Sequence, residues 1–434
     1  MHRKSAKTPP MGWNSWDCFG AGVNEQQLRQ NADYMAKHLK QYGWEYIVCD
    51  IQWYEPAARD NDYFSFTPLN TDEYGRLIPA ENRFPSAKGG KGFKPIADYC
   101  HSLGLKFGIH IMRGIPRQAA HADTPIKDSE FTARQAAHHF SVCSWNTDMY
   151  GMYNNRAAQD YYNSVFELYA EWGVDFIKCD DICITEFCKW DKPYSAYYEI
   201  EMIRKAIDGC KREMVLSLSP GPAQIENAKH LAANANMWRM TGDFWDDWGK
   251  LHDMFDKCLL WQNEVRPGNY PDCDMLPLGR LSKNGSCHGP QDRMTQFTKP
   301  EQITMMSLWG IFKSPLMMGG NLPDNDSLTL SLLTNKEYLK MHRECNGARQ
   351  YSRKENNGRG EIIWIAAGKK CKYAALFNTD IKSKQIKLKL SDILMPDEKY
   401  VIFDIWNNKT IGEFKNTFKA TIEPHGAVLI KITQ

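Results

Sequence analysis

The sequence predicts an α/β protein, a (β/α)8 TIM barrel followed by a small C-terminal antiparallel β-sandwich domain. Three observations carry this prediction. Units of amphipathic helix, Gly and apolar strand recur along the first part of the chain. Strand candidates reach about eight over roughly 330 residues, which suits a closed barrel better than an open doubly wound sheet. Near residue 345 the pattern changes to short strands joined by connections rich in Asp, Asn, Lys and Gly. The 434 residues therefore divide into a barrel over 1–345 and a β-domain over 346–434.

The elements follow in order. Helical periodicity from Gln26 to Tyr42 stops at Gly43, before the strand 44–50. Phe93 to Leu103 stops at Gly104, before 105–110; Arg156 to Trp172 stops at Gly173, before 174–180. Each Gly stands where a helix needs a left-handed residue to end. The strands are mostly apolar, as expected when both faces are covered. Further strands are expected at 214–218, 236–240, 275–278 and 315–318, with helices at 196–211 and 246–260 between them. No Gly-rich phosphate loop follows the first strand, which removes the nucleotide-binding version of such a sheet. Beyond a polar boundary loop at 353–360, strands are expected at 362–366, 373–378, 385–390, 400–405 and 427–432.

Composition excludes several classes of partner. Lys+Arg 54 against Asp+Glu 52 leaves a net charge of +2, without the basic excess that nucleic acid or an anionic membrane would need. No run approaches the roughly 18–20 apolar residues of a membrane span. The start, Met1-His2-Arg3-Lys4, leads into a Pro pair with no apolar stretch, so no secretory signal is read there. Thirteen cysteines, an odd number scattered over a long chain, suggest a reducing cytoplasm rather than a disulfide framework. Cys179, Cys183 and Cys188 lack the paired CxxC spacing of a zinc site. The 14 Trp, 20 Tyr and 19 Phe serve either as core or as platforms for sugar rings.

In parallel barrels the active site lies at the C-terminal strand ends. Three predicted strands end on Asp50, His110 and Asp180, and a fourth leads through Arg239 to Asp243. Lys178 lies two residues before Asp180, on the same strand face, where its charge should keep the carboxylate ionised. Two carboxylates across a barrel mouth suit glycoside hydrolysis, with Trp13, Trp16 and Trp53 as a rim for sugar stacking.

These residues resemble a known family. The run 8–16, Thr-Pro-Pro-Met-Gly-Trp-Asn-Ser-Trp, is similar to the opening of glycoside hydrolase family 27, the α-galactosidase and α-N-acetylgalactosaminidase family. The resemblance continues at Cys49 to Trp53, at Lys178-Cys179-Asp180, at Arg239 to Asp243, at Asp272 to Met275 and at Pro424 to Val428. It implies an exo-acting O-glycosyl hydrolase that retains configuration, needs no cofactor and no metal, and trims the terminal sugar of an oligosaccharide or glycoside. It implies Asp180 as nucleophile and Asp243 as acid/base, with carboxyls about 5–5.5 Å apart. Trp16, Asp50, Lys178, Arg239 and Asp274 would bind the terminal sugar. Nucleic acid and membrane are not expected as partners, and a homo-oligomer is left open.

Departures from the family bear on the substrate. α-Galactosidases of the family carry two consecutive Asp after the second strand; here the second is Ile51, and His110 replaces a Tyr. A buried Ile cannot receive a hydroxyl, and leaving one unpaired costs roughly 1–3 kcal/mol. That disfavours galactose and favours β-L-arabinopyranose, which lacks the hydroxymethyl group. Ser219 and Ala223 resemble instead the loop of N-acetylgalactosaminidases, which makes room for an N-acetyl group. Ile51 carries more weight, because Asp50 and Trp53 anchor its alignment. The missing family cysteine at Ile182 agrees with a cytoplasmic enzyme. A non-catalytic carbohydrate-binding barrel and a metal-dependent hydrolase remain as alternatives.

Overall fold

The structure, a computed structural model, describes the chain except for Met1, Asn61, residues 189–194, Ser286 and Cys287; the side chains of Arg3 and Cys188 also lie outside the described residues. It contains two units that interleave along the chain, the first of 1–243, 267–294 and 316–325, the second of 244–266, 295–315 and 326–434.

In the first unit, strands β1 (Met11–Asn14), β2 (Tyr46–Cys49), β3 (Lys106–Met112), β4 (Phe176–Asp180), β5 (Val215–Leu218), β6 (Met237–Arg239), β7 (Tyr270–Asp272) and β8 (Leu316–Met318) form one parallel sheet in the order β7-β6-β5-β4-β3-β2-β1-β8. Just past β7, Leu276 pairs in parallel with Met318 of β8 and closes the barrel. The strands are buried nearly throughout, which accounts for their apolar sequences.

Helix α1 (Glu25–Tyr34) starts from a capping box between Asn24 and Gln27, then widens into a π-helical turn (Met35–Leu39) and narrows to a 3-10 turn (Lys40–Tyr42) before Gly43. Helices α2 (Lys94–Ser102) and α3 (Arg156–Trp172) lead to Gly104 and Gly173. All three Gly residues have positive φ, as the sequence predicts.

Beyond strands the sequence does not predict, such as Met11–Asn14, two expected segments change. The seventh strand is Tyr270–Asp272 rather than 275–278. Pro271 hides it, yet is tolerated because β7 ends the ladder and, among the described residues, has only β6 as a strand partner. The segment 353–360 is not a boundary loop: Asn346–Asn356 and Arg359–Gly368 are antiparallel strands joined by a tight turn at Asn357-Gly358.

In the second unit, the strands β9 (Asn346–Asn356), β10 (Arg359–Gly368), β11 (Cys371–Asn378), β13 (Tyr400–Asp404), β14 (Lys409–Phe414) and β16 (Ala427–Thr433) form a six-stranded sheet. Strands β12 (Lys384–Lys389) and β15 (Thr417–Ile422) pair separately. Ile363, Ile365, Leu376, Ile386, Leu388, Phe418 and Ile430 share one core with further apolar residues. In β12, Ile386 and Leu388 are buried while the alternate Gln385, Lys387 and Lys389 are exposed, the period of a strand with one covered face. The helices Trp248–Trp261 and Lys299–Phe312 belong to this unit. His425 stacks on Trp248 with ring centroids 3.7 Å apart, and its Nδ1 lies 2.8 Å from Glu301.

Candidate active site

The site is assembled at the C-terminal ends of β1 to β7. After β1 the chain turns so that Asn14 Oδ1 accepts from the Trp16 main chain at 2.9 Å, while Asn14 Nδ2 donates to Asp50 Oδ2 at 2.7 Å. Ser15 Oγ accepts from the Asp50 N–H. The opening motif therefore seats half-buried Trp16 beside Asp50 at the end of β2. Lys178 Nζ reaches the same Asp50 oxygen at 2.9 Å, and Ile51 N–H donates to Oδ1. Ile51 itself is buried.

The strand register explains this convergence. His110 of β3 pairs with Lys178 of β4, and Cys49 of β2 pairs with Ile109, so Asp50 follows at the level of His110. His110 Nε2 donates to Asp180 Oδ2 at 3.0 Å, and Asp181 N–H donates to Asp180 Oδ1 at 3.0 Å. Lys178 thus makes its direct ion pair with Asp50, whereas the direct partners of Asp180 are His110 and the next peptide.

The electrostatics follow from these contacts. Burial alone would raise the Asp180 pKa, but the His110 hydrogen bond and charge, then Lys178 and the Asp181 N–H, hold it well below the usual carboxylate range. Asp50 is likewise lowered against its burial, chiefly by Lys178 and then by His110. Asp180 is therefore an anion at neutral pH, aimed by two donors.

At β6, Arg239 is buried and its Nη2 lies 3.1 Å from Asp243 Oδ1 and 2.9 Å from Asp274 Oδ2. The Asp243 side chain is 69% exposed, on the loop past the strand. Asp274 has φ +80, and its N–H donates to Asp272 Oδ1. Burial and the Asp274 charge push Asp272 up to about 7, despite Arg239. The loop after β5 is tied to β6 by Ala223 N–H to Arg239 O at 3.0 Å. A Cβ at Gly221 would meet Thr241 O at 2.1 Å, so only Gly lets this loop lie so close. Ser219 is buried there, and its Oγ has no hydrogen-bond partner among the described residues.

The structure thus brings Trp16, Asp50, Ile51, His110, Lys178 and Asp180 into one connected group, and Arg239, Asp243 and Asp274 into a second, with Ser219 on the loop beside β6. It removes two of the three expected rim tryptophans. Trp53 is fully buried, donates Nε1–H to His110 O at 2.7 Å and packs edge-on against Phe93 and Trp172. Trp13 is equally buried, with its Nε1–H on Gly320 O. Cys179 and Cys183 are buried thiols, and the side chain of Cys188 lies outside the described residues. Sequence reasoning missed Asn14, Arg113, Asp181 and Asp272. Asp272 had a usable signal, since it stands two residues before Asp274.

Comparison with known proteins gives the family. The family model described as alpha galactosidase A matches residues 8–154 and 148–344, and the alpha galactosidase C-terminal beta sandwich domain matches 361–432. A family 27 β-L-arabinopyranosidase from Geobacillus stearothermophilus is 52% identical, covering 100% of this chain and 98% of its own, with a TM-score of 0.96. A protein described as an α-N-acetylgalactosaminidase, from Bacillus halodurans, is 49% identical over 98% of this chain and 97% of its own, with a TM-score of 0.87. Alpha-galactosidase 2 of Arabidopsis thaliana is 27% identical over 436 residues, 100% of this chain and 91% of its own. The chain belongs to glycoside hydrolase family 27, the retaining exo-glycosidases built on a (β/α)8 barrel and a C-terminal β-sandwich.

Proposed function

We propose that this enzyme prefers terminal β-L-arabinopyranosyl residues, with Asp180 as nucleophile and Asp243 as acid/base. In the first step the Asp180 carboxylate forms a bond to the anomeric carbon. The bond from that carbon to the leaving oxygen breaks, and Asp243 gives that oxygen its proton. In the second step Asp243 takes a proton from water, the water oxygen bonds to the anomeric carbon, and Asp180 leaves. Trp16, Asp50, Lys178, Arg239 and Asp274 hold the sugar, and His110 holds the nucleophile.

The observation that carries the preference is the Asp50-Ile51 corner. Asp50 is already held by Asn14, Lys178 and the Ile51 N–H, and its neighbour is a buried Ile with no polar atom in its side chain. A galactose hydroxymethyl there gains no partner. The 52% identity to a β-L-arabinopyranosidase supports the same choice. The test is kcat/KM on nitrophenyl β-L-arabinopyranoside, α-D-galactoside and α-N-acetylgalactosaminide. The first should be highest, and a higher value for either of the others overturns the preference.

A second reading, N-acetylgalactosaminidase activity, is favoured by Ser219, by buried Ala223 and by the 49%-identical relative. For the compartment we infer the cytoplasm, since the eleven described cysteines are all free thiols. Among the described residues no helix is long and apolar enough to cross a membrane. The barrel of 1–345 and the β-domain of 346–434 would then be the catalytic and accessory parts.

A further inference from the structure

Asp181, directly after the proposed nucleophile, has φ +52, the left-handed region where a non-Gly residue needs a reason to stay. The reason lies just past the end of β3. Buried Arg113 donates its Nε–H to Asp181 O at 2.6 Å and to Asp181 Oδ2 at 3.0 Å. Its Nη1 reaches Ser141 Oγ and Glu199 Oε1, both at 2.9 Å, and Tyr162 OH donates to Glu199 Oε2 at 2.6 Å. Its main-chain N–H donates to Asp180 O at 3.0 Å. Space for the guanidinium is kept by Gly151, where a Cβ would meet Arg113 Nη1 at 2.0 Å. The Asp180–Asp181 peptide, whose carbonyl accepts the Arg113 main-chain N–H, directs the Asp181 N–H at Asp180 Oδ1 at 3.0 Å.

We propose that Arg113 is a positioning residue for the reaction: it fixes the Asp181 turn, and through that N–H it aims the Asp180 carboxylate. This rests on Asp180 being the nucleophile. A carboxylate held by two opposed donors, Asp181 N–H and His110 Nε2, has a defined orientation toward the anomeric carbon. Loss of one donor lets it rotate. The binding residues of the sugar do not touch Arg113, so the effect belongs in kcat rather than KM.

The test is a double-mutant cycle in the whole enzyme. Arg113→Lys keeps a charge but not the fork. In an otherwise wild-type chain it should lower kcat about 10–100-fold with KM changed less than about 3-fold. Asp180→Gly should be inactive and be rescued by azide, which fills the vacated space and yields a glycosyl azide of inverted configuration. In that background no carboxylate needs aiming, so Arg113→Lys should change the rescued rate less than about 3-fold. Equal losses in both backgrounds would make Arg113 a general structural residue and overturn the proposal, as would wild-type kcat in Arg113→Lys. If Arg113→Lys does not fold, Asp181→Gly, which keeps the left-handed backbone and removes the side-chain half of the anchor, carries the same cycle. If Asp180→Gly stays active or azide does not rescue it, the nucleophile assignment itself falls, an outcome separate from the failure of the clamp.

Discussion

Asp180 and Asp243 stand at the mouth of the same barrel in opposite surroundings. Asp180 closes β4, its side chain is 14% exposed, and each carboxylate oxygen accepts a hydrogen bond from the protein. Asp243 lies past the end of β6, its side chain is 69% exposed, and it leans on Arg239, which Asp274 shares. One carboxylate is fixed before substrate arrives; the other has solvent and a shared cation around it. That is the division a retaining mechanism needs. A nucleophile gains from being ionised and aimed, whereas an acid/base group must exchange its proton twice per turnover, once with the leaving oxygen and once with water.

The largest effect should come from breaking the fixed member. Asp180→Asn is expected to lose at least about 10⁴-fold in kcat, whatever the leaving group. Asp243→Asn should lose about 10²–10⁴-fold on a substrate whose leaving oxygen needs a proton. With a dinitrophenyl glycoside, which leaves unaided, its first step should be nearly unimpaired. Steady-state and pre-steady-state kinetics on both substrates check the pair, and equal leaving-group sensitivity in the two variants would erase the contrast.

A smaller effect separates the proposed sugar-binding corner from the proposed catalytic pair. Ile51→Asp supplies an acceptor beside Asp50, so the ratio of galactoside to arabinopyranoside kcat/KM should rise about tenfold or more. An unchanged ratio would place Ile51 outside the sugar subsite.

The smallest concerns stability around Arg239. Asp272 is pushed up to about 7 by burial and by Asp274, above its unfolded value of about 3.9. The folded chain therefore binds this proton more tightly. The resulting stability is complete below the unfolded value and is lost as pH rises through about 7. Between about pH 5 and about pH 8 the Tm of the wild type should fall more than that of Asp272→Asn. Parallel Tm curves for the two proteins would contradict this.

Much of the frame was legible in the sequence because it rests on local signals. Helix-stopping glycines, apolar strands and ionisable strand ends located β2, β3 and β4 together with Asp50, His110 and Asp180. Signals failed where the deciding contact was distant or the element too short. β1 and β7 are four and three residues long, and β7 contains Pro271. Trp53 and Trp16 carry the same side chain, and it is packing against distant rings such as Phe93 and Trp172 that makes Trp53 core. The pairing of Lys178 with Asp50 spans 128 residues, and Arg113 meets partners 28 to 86 residues away. No periodicity encodes such contacts.

The assignment of Asp180 is tested most directly by trapping the intermediate. A 2-deoxy-2-fluoro glycosyl fluoride of the preferred sugar configuration should form a covalent glycosyl-enzyme that turns over slowly. Proteolysis and tandem mass spectrometry should then find the sugar esterified to Asp180. A label on Asp243 or on any other residue would contradict the account.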